Sequence, residues 1–363
     1  MNKKLWIIIG VVLVAAMFLW LRQSRESADP RPVVTIGFSM PLSGDSAKFG
    51  RAARHAVELF MQDFDATAAH YRYKVIFEDN RFQSTVAATG AHKMIAAGRA
   101  NAIVSLAAHI GGAINPIAER AGVIHISASI DPGVARGDYN FTIISSARRH
   151  AQRSVQHLRD QGVKTIDIVH EISSGQLVSL DALKDEMGST EIKIRNMYPV
   201  TRGERNFRPI LQRIASTSPD MILVQFFEPE IAIFLRQYHQ SGMTIPLFSD
   251  ESFSFLEDKT LAEGLYYVAN APASDDFAGR YEQLAGSAAT DYAEYMHAIM
   301  QILTMAFESN PDRVDNADAA RTILEKTDGL QTTIGRVTIH SDGVIDAPAA
   351  LRKIENGKPV TVK

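Results

Sequence analysis

Two periods alternate along this chain. Short runs of β-branched and other apolar residues (33–40, 73–78, 101–106 and 123–127) are separated by longer stretches in which apolar side chains recur three or four positions apart (47–66, 84–98 and 113–121). The first period fits a strand covered on both faces, the second a helix with one apolar face. Val33, Val34 and Ile36 lead into a loop rich in Ser, Gly and Pro, and Val57, Phe60, Met61 and Phe64 mark the helix that follows. A second series places strands near 141–145, 165–170, 192–199, 220–226 and 245–249, with helices near 148–161, 175–187, 206–216 and 229–241. Short strands separated by ~10–15-residue helices predict parallel βαβ units with right-handed crossovers. Two series predict an α/β protein of two doubly wound parallel-sheet lobes. A long late helix over 289–308 and a strand and turn over 335–345 follow, and no internal repeat interrupts the pattern.

The N-terminus departs from this alternation. Lys3 and Lys4 precede an uncharged, mostly apolar stretch, 5–21, with Trp6 and Trp20 at its ends. As a helix it would be about 25 Å long, near the lower limit for a bilayer span, and interfacial tryptophans suit such a span. An uncleaved signal-anchor over 1–22 is favoured over a cleaved signal peptide, since cutting after Val14-Ala15-Ala16 would leave an apolar new terminus. Either reading exports the rest of the chain to the periplasm or another extracytoplasmic space. Residues 23–32, polar and ending Asp-Pro-Arg-Pro, read as a linker.

Composition narrows the chemistry. The chain has 363 residues, enough for two lobes with real cores. Its net charge of −3 offers no basic footprint, so nucleic acid is not an expected partner. With no cysteine there is no disulfide, thiolate metal site, cysteine nucleophile or lipid-modified N-terminal cysteine. No G-x-S-x-G, S-x-x-K, P-loop or G-x-G-x-x-G occurs. His55 and Glu58 share a helix face, but without a second such pair they read as surface residues. The expectation is a binding protein, with no enzymatic activity, cofactor or metal.

Open α/β sheets bind ligands outside the carboxyl ends of their strands. A cleft for an amino acid needs donors for the carboxylate, acceptors for the ammonium and an apolar wall. His109-Ile110-Gly111-Gly112 leads into the helix containing Asn115 and Pro116, where small residues can expose backbone N–H groups to an anion. The alternative is that the glycines merely allow a tight turn.

The opening segment, VVTIGFSMPLSGDSAKFG, together with ISASIDP (126–132), FEPEIAIFLRQYHQSGM (227–243), PLFSDES (246–252) and TIGRVTIHSDG (333–343), closely resembles the leucine/isoleucine/valine-binding family of type I periplasmic solute-binding proteins. The resemblance covers essentially the whole exported part. It implies two lobes joined by three crossovers: 33–145 with 252–334, and 146–251 with 335–363. It implies a ligand that is an amino acid or similar small polar molecule, closure of the lobes around it, and an ABC-transporter permease as partner. A membrane-tethered sensing module on the same fold is the alternative. The site residues it implies are His109 and Gly111 with Ser127 and Ser129 for the carboxylate, Glu251 for the ammonium, and Phe49, Tyr292, and Phe227 or Glu228 as walls. Two departures stand out: Ile110 or Gly111 replaces the family's usual serine, and His170–Gly175 replaces an expected tyrosine.

Overall fold

The computed structural model describes residues 29–289, 292–311 and 317–362. The expected anchor over 1–22 and most of the linker lie outside the described residues. Among the described residues no helix is long and apolar enough to cross a membrane.

The alternation of strand and helix periods is realised as βαβ units. The first series is β1 (Val33–Met40), α1 (Ala47–Asp63), β2 (Arg72–Asp79), α2 (Ser84–Ala96), β3 (Ala102–Leu106), α3 (Ala108–Ala121), β4 (Ile124–Ala128) and β5 (Asn140–Ile143). The second is α4 (Ala147–Asp160), β6 (Thr165–Glu171), α5 (Ser174–Met187), β7 (Lys193–Val200), α6 (Arg208–Thr217), β8 (Met221–Gln225), α7 (Glu230–Gln240), β9 (Leu247–Ser249) and β10 (Tyr266–Asn270). The chain ends with α8 (Asp275–Ala285), α9 (Ala293–Glu308), α10 (Ala317–Glu325), β11 (Leu330–Thr332), β12 (Gly335–Ile339), β13 (Val344–Asp346), β14 (Ala349–Glu355) and β15 (Lys358–Thr361).

Two sheets result, in the orders β11-β12-β13-β5-β4-β3-β1-β2 and β15-β14-β10-β9-β8-β6-β7. Both are parallel through their centres and antiparallel at one end, so the expectation of wholly parallel lobes is corrected to mixed, mainly parallel sheets. The lobe boundaries also move. Tyr266–Asn270 pairs with β9 and β14, which places 252–270 with the second lobe, and β13 pairs with β5, which places 335–346 with the first. The chain therefore crosses between lobes at 144–146, 271–274 and 347–348. Two of these crossings end in serine caps: Ser146 Oγ accepts from Arg149 N–H (3.2 Å) and Ser274 Oγ from Phe277 N–H (3.4 Å). Each cap satisfies a donor that the first helical turn leaves free.

The first lobe's core lies where Val34, Ile36, Phe38 and Met40 of β1, all fully buried, meet α1 and α9. Helix α9 buries most of its circumference, with Tyr295, Met296, Ile299, Met300, Leu303 and Phe307 at or near zero exposure. Burying a side chain of this size is worth about 1.5–3 kcal/mol. The second lobe packs α6 and α7 on one face of its sheet, around Phe207, Phe226 and Phe234, and α4 and α5 on the other.

Candidate functional site

The carboxyl ends of the central strands of both sheets carry the residues of interest. In the first lobe the loop after β1 is pinned: Asp79 accepts from Leu42 N–H (2.9 Å) and Ser43 Oγ–H (2.6 Å). Helix α1 then closes so tightly on the loop that a β-carbon at Gly50 would stand 2.3 Å from the Pro41 carbonyl oxygen.

Phe49 is the hub of a chain of rings spanning both lobes. It stacks on Phe82 (centroids 6.2 Å apart), meets Tyr292 at 6.4 Å, and meets Phe255 of the second lobe edge-on at 6.0 Å. Phe255 in turn contacts Tyr292 (5.5 Å) and Phe227 (5.7 Å). The expected aromatics Phe49, Phe227 and Tyr292 are therefore brought together, and the ring that joins them, Phe255, is one that sequence reasoning missed. It lies in a short 3₁₀ turn, Glu251–Phe255, a segment with no strand or helix period to mark it.

Glu251 opens that turn and sits at the inner end of the ring chain. Its carboxyl accepts from Asn270 Nδ2 at the end of β10, and Tyr292 of the first lobe acts on its charge. His150, in the first turn of α4, has Nδ1 3.8 Å from Glu251 Oε2. Burial pushes the Glu251 carboxyl up to about 8, against the pull of Tyr292, and the neighbouring Asp250 and Glu294 carboxylates add to the rise. Burial likewise pushes His150 down to about 4. At neutral pH both partners are mostly uncharged, so this is a neutral hydrogen-bonded group and not an ion pair. Asp250 points elsewhere, accepting from Gln225 Nε2 (3.0 Å) and from Ser252.

The carboxylate side is arranged differently from expectation. Helix α3 begins at Ala108, earlier than the spacing suggests, so Gly111 and Gly112 lie inside its first turns. Gly111 N–H bonds to the Ala107 carbonyl (2.9 Å) and is committed to the helix. The glycine is there for packing, because a β-carbon would stand 2.6 Å from both Ser127 Oγ and Val134 Cγ1. Gly111→Ala should destabilise the protein by about 1–3 kcal/mol in a denaturant titration, the usual cost of overpacking. No loss would show that the helix can shift off β4.

Ser127 is fully buried on β4, with Oγ 3.0 Å from Ser105 Oγ. Ser105 Oγ in turn lies 2.8 Å from His125 Nε2, and His125 Nδ1–H donates to Asn140 Oδ1 (2.8 Å). Ser127 thus belongs to an internal polar network of the sheet, not to the cleft wall. Ser129 Oγ accepts from Asp131 N–H (3.1 Å), a turn cap. His109 is exposed, its ring edge-on to Phe82 at 4.8 Å, so the start of α3 does border the ring chain. Glu228, half-buried, accepts from Glu257 N–H (3.1 Å) and ties the loop after β8 to the segment beyond Phe255. Among the described residues no group of three His, Asp or Glu is placed to hold a metal.

Residues 33–359 match the family model described as periplasmic binding protein. The chain belongs to the periplasmic binding protein family. Its general role is accordingly that of a solute-binding protein. The Leu/Ile/Val-binding protein BraC3 of Rhizobium johnstonii is 20% identical over 348 residues, covering 91% of this chain and 94% of that one. Among solved structures, the branched-chain amino acid transporter substrate-binding protein LivJ of Streptococcus pneumoniae, in complex with isoleucine, superposes with a TM-score of 0.79 at 18% identity, covering 91% and 99% of the two chains. A solute-binding protein of an ABC transporter from R. palustris, in complex with benzoate, gives 0.78 at 16% identity, covering 91% and 95%. The shared architecture is that of the type I periplasmic binding proteins.

Proposed function

We propose that this periplasmic binding protein captures an amino acid or a similarly small polar solute between its lobes, and that the closed form delivers it to an ABC-transporter permease. One observation carries the reading: Phe255, in the same short turn as Glu251 of the second lobe, packs against Phe49 and Tyr292 of the first, so the acidic residue stands beside a ring chain built from both. A ligand gripped by these groups touches both lobes only when they are together, so it stabilises the closed form. An ammonium would convert the neutral Glu251 carboxyl into a charge-assisted acceptor, and the rings would cover the apolar part. The names of the relatives, which bind leucine, isoleucine, valine or benzoate, support a ligand of this size. The reading places the protein outside the cytoplasm, held at the membrane by residues 5–21.

Isothermal calorimetry and thermal-shift measurements on the full chain, against the common amino acids, small amides and benzoate, test it. These probes suit the protein because both tryptophans, Trp6 and Trp20, lie far in sequence from the cleft residues. Saturable binding that raises the melting temperature is expected, and silence across the whole panel would overturn the proposal.

A further inference from the structure

Two buried residues meet the carboxyl of Glu251, and each lies close to a crossover between the lobes. Asn270, the last residue of β10, donates from Nδ2 to Oε1. The second oxygen, Oε2, stands 3.8 Å from Nδ1 of His150, in the first turn of α4. That gap is too long for a direct hydrogen bond, yet one N–H donor can stand ~2.9 Å from both atoms at once. His150 is 5% exposed and Asn270 7%. Neither Asn270 Oδ1 nor His150 Nε2 has a partner within hydrogen-bond distance, although Asn270 acts on the imidazole from farther away. A buried carbonyl acceptor left without a donor is costly unless an incoming group supplies one. Burial keeps His150 neutral at pH 7, so its ring carries one N–H and one lone pair. The arrangement offers acceptors on three residues and calls for donors. A primary ammonium brings three N–H groups, a secondary one two, and a carboxylate none.

We propose that Asn270 and His150 set the amine specificity of the cleft: a primary ammonium against Glu251 donates one N–H to Oε2, one to Asn270 Oδ1 and one to His150 Nδ1, the imidazole proton standing on Nε2. This rests on the reading of the cleft as an amino-acid site and names the class, α-amino acids with an unsubstituted amino group. An N-alkylated amino acid has one donor too few and sets its methyl against a buried acceptor. A carboxylic acid without an amine leaves the whole cup unfilled.

Calorimetry of the full chain with leucine, N-methylleucine and 4-methylpentanoate, which differ only at the amino group, tests the cup. If leucine is silent, the same triplet is made from the tightest-binding amino acid of the panel above. Wild type should bind the amino acid about tenfold or more tighter than its N-methyl derivative, the effect of one hydrogen bond from a charged group in a desolvated site, and the deaminated acid not measurably. His150→Phe and Asn270→Leu each remove one acceptor at similar side-chain size, and each should weaken the amino acid by about tenfold. The preference over the N-methyl derivative should shrink in the variant that has lost the acceptor facing the methyl group. A purely structural disturbance would weaken both ligands alike and leave their ratio unchanged. The wild-type comparison stands whether or not the variants fold. Equal binding of the amino acid and its N-methyl derivative by wild type, or a ratio that survives both substitutions, would overturn the cup and leave the amino-acid reading standing. If no amino acid binds, both fall.

Discussion

Acidification from pH 7 to pH 5 should cost the wild-type chain about 2 kcal/mol more stability than it costs a His125→Gln variant. His125 is fully buried between Ser105 and Asn140, and desolvation pushes it down to about 4. In the unfolded chain the same group titrates near 6.5. The depressed folded value fixes the sign: below pH 6.5 the unfolded state takes up a proton that the folded state refuses until about pH 4, so stability falls across that window. His150 and His297, each also pushed to about 4 by burial, contribute in the same direction. The buried carboxyl groups of Glu251, Asp250 and Glu171 are raised and work in the opposite sense. Comparing wild type with His125→Gln cancels those contributions and isolates one proton. Denaturant titrations at the two pH values provide the measurement. The variant starts lower, because a buried hydrogen-bonded ring has been lost, but its stability should depend less on pH. Equal losses in the two proteins would mean that His125 is charged or hydrated in the fold.

The fold was legible because its two periods are strong. Residues such as Val34, Ile36 and Phe38 make a run that only a strand covered on both faces accommodates, and the helices between such strands leave few topologies open. The lobe boundaries were not legible, because they depend on pairing between strands distant in sequence. Nothing within Tyr266–Asn270 says that it will lie beside Phe248 and Leu351, and nothing within Val344–Asp346 points to Thr142. The early start of α3 was hidden for a local reason. Gly111 and Gly112 each disfavour a helix interior by about 1 kcal/mol, and packing against Ser127 and Val134 overrides that preference.

The site divides in the same way. Phe49, Phe227, Glu251 and Tyr292 are the residues that the family resemblance implies, and the structure groups them. Ser127 and Ser129 carry suitable hydroxyls but turn them to neighbours within their own lobe, an orientation that residue type does not encode. Phe255 and the unpartnered oxygen of Asn270 emerge only in three dimensions, since each is defined by what another segment places beside it.

Glu251→Gln should weaken binding of an amino-acid ligand at pH 8 by about 10–100-fold, the span expected when a hydrogen bond to a charged group becomes neutral. Because burial holds the carboxyl at about 8 in the free protein, wild type must release a proton when the ligand's ammonium arrives at lower pH. Affinity should therefore rise from pH 6 to pH 8, by up to about tenfold per pH unit, and level off above. The glutamine variant has no proton to release, so its affinity should be flat over the same range and approach wild type at pH 6. His150 stays neutral throughout this window, and burial raises Tyr292 well above its ordinary value, so neither supplies a competing titration. Stability without ligand should move the other way. A carboxyl whose folded value is raised contributes fully below pH 4.5, and that contribution is lost as pH climbs toward 8, where charge is forced into a buried site. Glutamine mimics the neutral form at every pH, so Glu251→Gln should match wild type in a melt below about pH 4.5 and exceed it increasingly as the pH rises toward 8. A variant that binds poorly yet melts higher at alkaline pH has lost a functional charge, not its fold. Parallel pH profiles for the two proteins would show that Glu251 does not receive the ammonium.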